Sequence, residues 1–582
     1  MICLILGMGF VAGISIGWNK AVGTYESYFQ PAPGAPPLPE IHGRIFLDHD
    51  AYHWISYARE MARTGAWRIR HTKIDNAPFG RPVHWSQSIS WLLVGAGWLR
   101  HRLTGEPMDA AIEAGALWIG PVQLVVLIGI VGLLIYRRMG AVPSGIWMLS
   151  MAAMGNIYWI FQTLKPDHHG LQLGFVLGSL VSLIFGGLGW VNVTASRERK
   201  ELRDSGAAAH GAGLQVEPWF IPLELPGMKS ARCSFAASGV LGGLGLWTGA
   251  TVQLVGIGVI AMSALLLVIF MPSEVRDRKG ETVSYQPGLW RLWALTGAVT
   301  SLALYLVEYF PAHMEMRLEA NHPLYALAWL CTGEILMLFS GWKLKVWPFR
   351  RADIVRLLLF SAGATVLPVL LVAGPSDWHY LRTPLCWRIS QFIVEGWSLT
   401  KFAGERTIPL LIAGMGVLPV FLLAAPWLAS SGRTSLYEWA VLWMSFVPAF
   451  VYLIAGFMQI RWMSLYSGMI TWLMVPVLTV LWRNSTRQGW PKTLLKPVMA
   501  ILIVQAIALG CLQVDELRQI SRGRTLRNDL VTRILERYFV IGLAALNTDG
   551  KMRVLTEMDF AVPLYYFSGI PGIASYYWEN RD

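Results

Sequence analysis

Charge is scarce in this chain. Of its 582 residues only 14% are Asp, Glu, Lys or Arg, against about 25% in a typical soluble domain, which argues against a water-soluble globular fold. Cysteine is scarce as well. Cys3, Cys233, Cys331, Cys386 and Cys511 are scattered and mostly lie inside apolar blocks, so they form neither a disulfide framework nor a zinc pattern. No internal repeat is visible, and only Glu334 is a carboxylate well inside an apolar block. Transporters usually place polar groups near the bilayer midplane on broken, repeated helices, so a transporter or flippase is the weaker class here. Glu334 itself reads either as a neutral, hydrogen-bonded acid or as a proton relay. The apolar stretch 3–18 lacks a basic n-region and a small-residue cleavage site, and reads as a retained first span rather than a signal peptide.

What the chain has in excess is apolar blocks. Hydrophobic residues make up 54% of it, with 28 tryptophans and a mean hydropathy of +0.46. Blocks of about 20 apolar residues cross a bilayer as helices, and tryptophan is enriched at membrane interfaces. The expected fold is an all-α polytopic membrane protein with about thirteen transmembrane helices: 3–18, 115–135, 143–163, 171–192, 233–249, 252–271, 292–309, 324–342, 356–374, 408–429, 437–457, 463–482 and 497–513. Residues 86–104 are apolar but short, and are expected to lie at the interface.

The net charge of +12 sits mostly in short loops between these blocks, which disfavours nucleic acid as a partner. Alternate loops carry Arg137 and Arg138, then Arg197 to Arg203, Arg276 to Lys279, Lys343 to Arg351, Arg433, and Arg487 to Lys496. All fall on one side, the cytoplasm, if 86–104 does not cross. The first loop 19–114, the Asp167 turn, residues 310–323, the long loop 375–407 and the tail 514–582 then lie outside. That tail is expected to hold an amphipathic helix near 524–537 and a strand-like run from Met552 to Thr556.

The outer side gathers the chemistry. Asp48-His49-Asp50-Ala51-Tyr52 is followed by Ala58-Arg59-Glu60, and Lys165-Pro166-Asp167-His168-His169 is wedged between two spans. Glu395 follows Ile393-Val394 in the long loop, and Arg461 stands at the outer end of the eleventh span. Hard divalent cations such as Mg²⁺ or Mn²⁺ prefer oxygen ligands, and Mn²⁺ tolerates an imidazole. Asp167 and His169, two apart, can both reach one ion. Each residue also has a bland reading. Asp48 and Asp50 are helix-cap material, His168 and His169 suit an interface, Glu395 suits a solvated loop, and Arg461 suits a snorkelling anchor. The chemical reading gains because all fall on one face of an independently derived topology. Glu308, Glu315 and Glu319 compete as supporting or acceptor-side acids.

On these motifs the chain resembles the catalytic subunit of oligosaccharyltransferases, within the GT-C class of membrane glycosyltransferases. That family pairs an acid in the first outer loop with a following aromatic and Ala-Arg-acid, matched by Asp50, Tyr52, Ala58, Arg59 and Glu60. Its Asp-x-His variant of the second motif is matched by Asp167 and His169, its loop glutamate by Glu395, and its diphosphate-contacting arginine by Arg461. The family's Trp-Trp-Asp-Tyr-Gly motif is reduced here to Asp559 in Glu557-Met558-Asp559-Phe560-Ala561, followed by Leu564 to Gly569 where the family has a strand and turn.

The resemblance implies a GT-C-like catalytic domain over 1–513 and a small extracytoplasmic α/β segment over 514–582, shorter than the family's domain and expected to be truncated. It implies transfer of a sugar or oligosaccharide from a polyprenyl-(di)phosphate carrier to a protein or other acceptor. It also implies Asp50 and Glu395 as catalytic groups, Asp50, Asp167 and His169 as ligands of Mn²⁺ or Mg²⁺, and Arg461 as the donor-phosphate contact. Asp559 would be the acceptor contact, with Asp48, His168 and Glu319 as secondary candidates. The expected location is a prokaryotic cytoplasmic membrane with the site on its outer face. A GT-C enzyme adding one sugar to a lipid or polysaccharide is the alternative.

Overall fold

The computed structural model describes all residues except 1, 29–42, 194–218, 272–282, 313, 315, 349, 374–396, 405–413, 488–491, 523–527, 557–559 and 574–582. Every apolar segment named above contains a helix. In chain order these are α1 (Ile2–Tyr28), α4 (Met108–Met139), α5 (Ala141–Ala153) with α6 (Gly155–Ile160), α7 (His169–Phe185), α8 (Met228–Thr248), α9 (Ala250–Phe270), α10 (Gly288–Glu308), α11 (Pro323–Lys343), α12 (Arg351–Ala373), α14 (Phe421–Ser430), α15 (Leu436–Met458), α16 (Met463–Arg487) and α17 (Lys492–Ser521). Among the described residues, nine helices are long and apolar enough to cross a bilayer, while Ala141–Ala153, His169–Phe185 and Leu418–Ser430 are apolar but shorter. Thirteen separate crossings are therefore not all carried by full-length apolar helices.

Two of the four missing blocks end at breaks. The block 143–163 is interrupted at Met154, whose ψ of 118° ends α5 and starts the short α6. The block 171–192 stops at Phe185. Gly187 and Gly189 then take positive φ, and Trp190–Asn192 becomes a strand, β3, paired antiparallel with Val283–Tyr285, β4. A Cβ at Gly189 would press on the Tyr285 ring at 2.6 Å, so glycine is needed there for space as well as for conformation.

Contacts give the helix directions. Gly510 lies against Phe10 and Gly17 against Leu517, so α17 runs parallel to α1. Ser15 meets Tyr158 and Asn19 meets Thr163, so α5–α6 also runs with α1. Ser144 Oγ donates to Gly132 O, and Thr163 Oγ1 donates to Leu117 O, so α4 runs against them. Gly239 and Gly243 of α8 seat Thr296 and Thr300 of α10, another parallel pair. These directions agree with the alternation read from loop charge. Glu334 resolves differently from either sequence expectation, because it forms a two-point ion pair with Arg291 at the start of α10, Nη2 to Oε2 2.7 Å.

The first outer loop is a folded layer rather than a linker. It contains α2 (His49–Thr64), a two-stranded ribbon of β1 (His71–Thr72) and β2 (Arg81–Pro82), and α3 (Ser88–Thr104). α3 coincides with the short apolar stretch 86–104 and packs on α2 and α4. Beneath it lie buried ion pairs: Arg81 with Asp75 at 2.8 Å, and Arg68 with Glu308. The C-terminal part holds α18 (Asn528–Leu546) and α19 (Ala561–Ser568). Among the described residues, the run Met552 to Thr556 contributes one bridge, Val554 to Gly572. Residues 564–569, expected as a strand and turn, are instead the last turns of α19 and its left-handed Gly569 cap. That helix buries Val562, Leu564, Tyr566 and Phe567 and packs on α2.

Candidate functional site

Two short segments converge at the end of the bundle opposite Arg137 and Arg138. The first is the entry to α2. Asp48 has extended geometry, φ −126° and ψ 142°, and its side chain accepts from the Asp50 N–H at 3.2 Å. It is an N-cap of the usual kind. The second is the turn from α6 to α7. Leu164 adopts φ +65°, Thr163 is fastened to α4 and α1, and the Leu47 N–H donates to Leu164 O at 3.0 Å. One backbone bond thus sets the two segments side by side.

The result is an acidic cluster. Asp48, Asp50 and Asp167 each offer a carboxylate oxygen, and these lie within 4.8 Å of one another; Asp167, His168 and His169 form a second such set sharing Asp167. Asp167 is 2% exposed. Its Oδ1 accepts from the His168 N–H at 2.6 Å and lies 2.7 Å from His168 Nδ1. Its Oδ2 is buried without a hydrogen bond, 3.4 Å from His169 Nε2. Burial raises the cost of the Asp167 charge, but His169, His168 and Lys165 outweigh it and hold the carboxyl well below the usual range. His168 is wedged between Trp54 and Trp85, ring centroids 5.8 and 5.4 Å away. Lys165, buried, places Nζ 2.9 Å from Asp48 Oδ2.

Three carboxylates with one imidazole at their edge suit a hard divalent cation such as Mn²⁺ or Mg²⁺. The unbonded buried Oδ2 of Asp167 is the group such an ion would satisfy.

The structure therefore brings together Asp48, Asp50, Asp167, His168 and His169. Arg461 is exposed on the single turn Ile460–Trp462, where the Ile460 N–H donates to Trp397 O at 2.8 Å. Glu395, Glu315 and Asp559 lie outside the described residues. Glu319 is buried and pairs with His84 Nε2 at 3.1 Å. Glu308 accepts from the Gln87 N–H and the Trp247 indole. These two acids tie the loop after α10 to the first outer loop. Arg59 pairs with Glu113 of α4, which also accepts from the Tyr566 hydroxyl, so it braces α2 against α4 and α19. Sequence reasoning missed Lys165 as the partner of Asp48, and Gln172, whose Oε1 lies 3.2 Å from His169 Nδ1. The i,i+3 spacing from His169 to Gln172 at a helix start was the available signal.

These features define the class: a polytopic helical membrane protein with an acid–imidazole cluster at one end of its bundle. No protein-family model and no curated protein matches the sequence. Solved structures do match. The oligosaccharyltransferase of Archaeoglobus fulgidus, tethered to an acceptor peptide containing the NVT sequon, superposes with a TM-score of 0.63 at 13% identity, over 98% of this chain and 64% of that one. The same archaeal protein with an inhibitory peptide and a dolichol-phosphate gives 0.60 at 13% identity, over 98% and 64%. Its complex with Zn and sulfate gives 0.61 at 13% identity, over 98% and 62%. The chain thus has the fold of an archaeal oligosaccharyltransferase, GT-C-like, and spans less than two thirds of that protein's length.

Proposed function

We propose that this protein is a membrane glycosyltransferase. It moves a sugar or oligosaccharide from a polyprenyl-(di)phosphate carrier to a protein or other acceptor, at the outer face of a prokaryotic cytoplasmic membrane. The convergence of Asp48, Asp50 and Asp167 within 4.8 Å, with His169 on Asp167, carries the reading. The fold shared with an enzyme seen with a dolichol-phosphate and with an acceptor peptide supports it.

A lipid-linked donor cannot leave the bilayer, so its phosphate must be met where the bundle ends, at the α2 and α7 entries. Mn²⁺ or Mg²⁺ held by Asp50, Asp167 and His169 would neutralise charge on the departing phosphate. Asp167 is fixed for that role by the His168 N–H, and Asp48 stays tied to Lys165. Arg461 supplies a charged donor to phosphate oxygens. Asp50 and Glu395 act on the acceptor. They accept the two N–H bonds of an asparagine amide, or one of them takes the proton of a hydroxyl. Asp559 contacts the acceptor.

The test is transfer of radiolabelled sugar from a lipid-linked donor by the purified full chain. Chelation should stop transfer, Mn²⁺ should restore it, and Asp50→Ala and Asp167→Ala should each lower it by more than about a hundredfold. Undiminished transfer in either variant removes that residue's role. Lipid movement across the bilayer with no transfer would make the protein a flippase.

A further inference from the structure

His169, an imidazole of the candidate ligand set, meets Asp167 Oδ2 at 3.4 Å and the His168 ring at 4.6 Å between centroids. It is the first residue of α7 and partly exposed. A ligating imidazole ordinarily has its second nitrogen held by a hydrogen-bond acceptor, which sets both tautomer and orientation. Here that acceptor is Gln172, one turn along α7, with Oε1 3.2 Å from His169 Nδ1. An amide oxygen only accepts, so this contact forms when Nδ1 carries a hydrogen, and it turns Nε2 toward Asp167 Oδ2 at 3.4 Å.

Gln172 is itself confined. It is 6% exposed, and its Nε2 lies against Gly249, where a Cβ would overlap the amide. Gly249 is the single residue between α8 and α9. Its φ of −171° is open to any residue, so the need for glycine is one of space alone. The hairpin is pinned on both sides: the Gly249 N–H donates to Gly245 O at 2.9 Å, and the Ala250 N–H donates to Glu319 O at 3.2 Å.

We propose that Gln172, confined by Gly249, is the positioning residue that aims His169 Nε2 at the cation site. The inference rests on the proposed metal role of His169 and extends it to the α8–α9 hairpin, one helix further along the chain. It makes Gln172→Leu and Gly249→Ala equivalent lesions, one removing the acceptor and the other displacing it. Gln172→Glu keeps an oxygen in place and should rescue.

The experiment is a Mn²⁺ titration of the full chain in detergent, followed by the electron paramagnetic resonance of the free ion, with metal-free unfolding temperatures as the fold control. Gln172→Leu and Gly249→Ala are expected to weaken Mn²⁺ binding about ten- to a hundredfold, and Gln172→Glu to stay within about threefold of the parent. In a His169→Ala background, Gln172→Leu should cost nothing more. Parent-like affinity in Gln172→Leu overturns the proposal, as does an undiminished loss in the His169→Ala background. If Gln172→Leu fails to fold, the contrast between Gln172→Glu and Gly249→Ala decides: equal affinities overturn the proposal. A parent chain that binds no Mn²⁺ overturns the proposed function, and this inference with it.

Discussion

Asp48 caps α2 through the Asp50 N–H and neutralises Lys165. The two tasks separate by substitution. Asn caps as well as Asp, so Asp48→Asn should lose only the partner of the buried Lys165, about 2 kcal/mol, less than for a fully enclosed pair because Asp48 is partly open to water. Asp48→Ala should lose about 1 kcal/mol more, read from unfolding in detergent. His53, one turn further on, is fully buried beside Tyr57. Burial first, then Arg81 and His49, hold its ring well below the usual imidazole range. The folded chain thus refuses a proton that the unfolded chain takes up near pH 6.5 (about the free value). Its contribution is complete above that pH and is lost as pH falls. Unfolding temperature should therefore drop between about pH 7 and pH 5, and less steeply in His53→Phe. Asp50, Asp167 and His169 could be picked out of the sequence because each belongs to a short run of polar residues beside an apolar block. The Lys165 and Gln172 contacts could not, since they depend on a left-handed Leu164 and on a glycine 77 positions beyond Gln172.

At the scale of elements, α2 carries Asp50 and is held by partners from both ends of the chain. Arg59 pairs with Glu113 and lies over the Tyr566 ring at 4.8 Å, and His49 meets Arg533 and Glu536 of α18. Glu113→Ala strands the Arg59 charge at a site only slightly open to water. It should cost about 2 kcal/mol, below the 3–5 kcal/mol of a fully enclosed pair. Tyr566→Phe removes one hydrogen bond and should cost about 1 kcal/mol. Limited proteolysis should cut the C-terminal part faster in the first variant than in the second. Helix existence was legible in each apolar block, because such blocks have few alternatives in a bilayer. Helix ends were not. The break at Met154 and the turn into β3 answer to packing and to glycine φ rather than to hydropathy. The helix at 561–568 was hidden for the same reason, since a short run rich in tyrosine and phenylalanine suits a strand until α2 offers its flank.

At the scale of the molecule, the loop-charge alternation and the parallel pairing of α1, α5 and α17 describe one architecture reached by independent routes. Single cysteines placed at Glu106 and at Arg433, in a chain stripped of its own, should label from opposite faces of sealed vesicles, Arg433 from the cytoplasmic one. Labelling from the same face would undo the assignment of the site to the outer leaflet. The pair formed by Arg291 and Glu334 has a bearing on biogenesis. Released alone into hydrocarbon, the segment bearing Glu334 would meet a penalty of about 3 kcal/mol, and its counter-ion resides on the segment made just before it. Pairing before release avoids that penalty, so the two helices are expected to leave the translocon together. Nascent chains halted after residue 350 should integrate the later helix less completely when Arg291 is replaced by alanine.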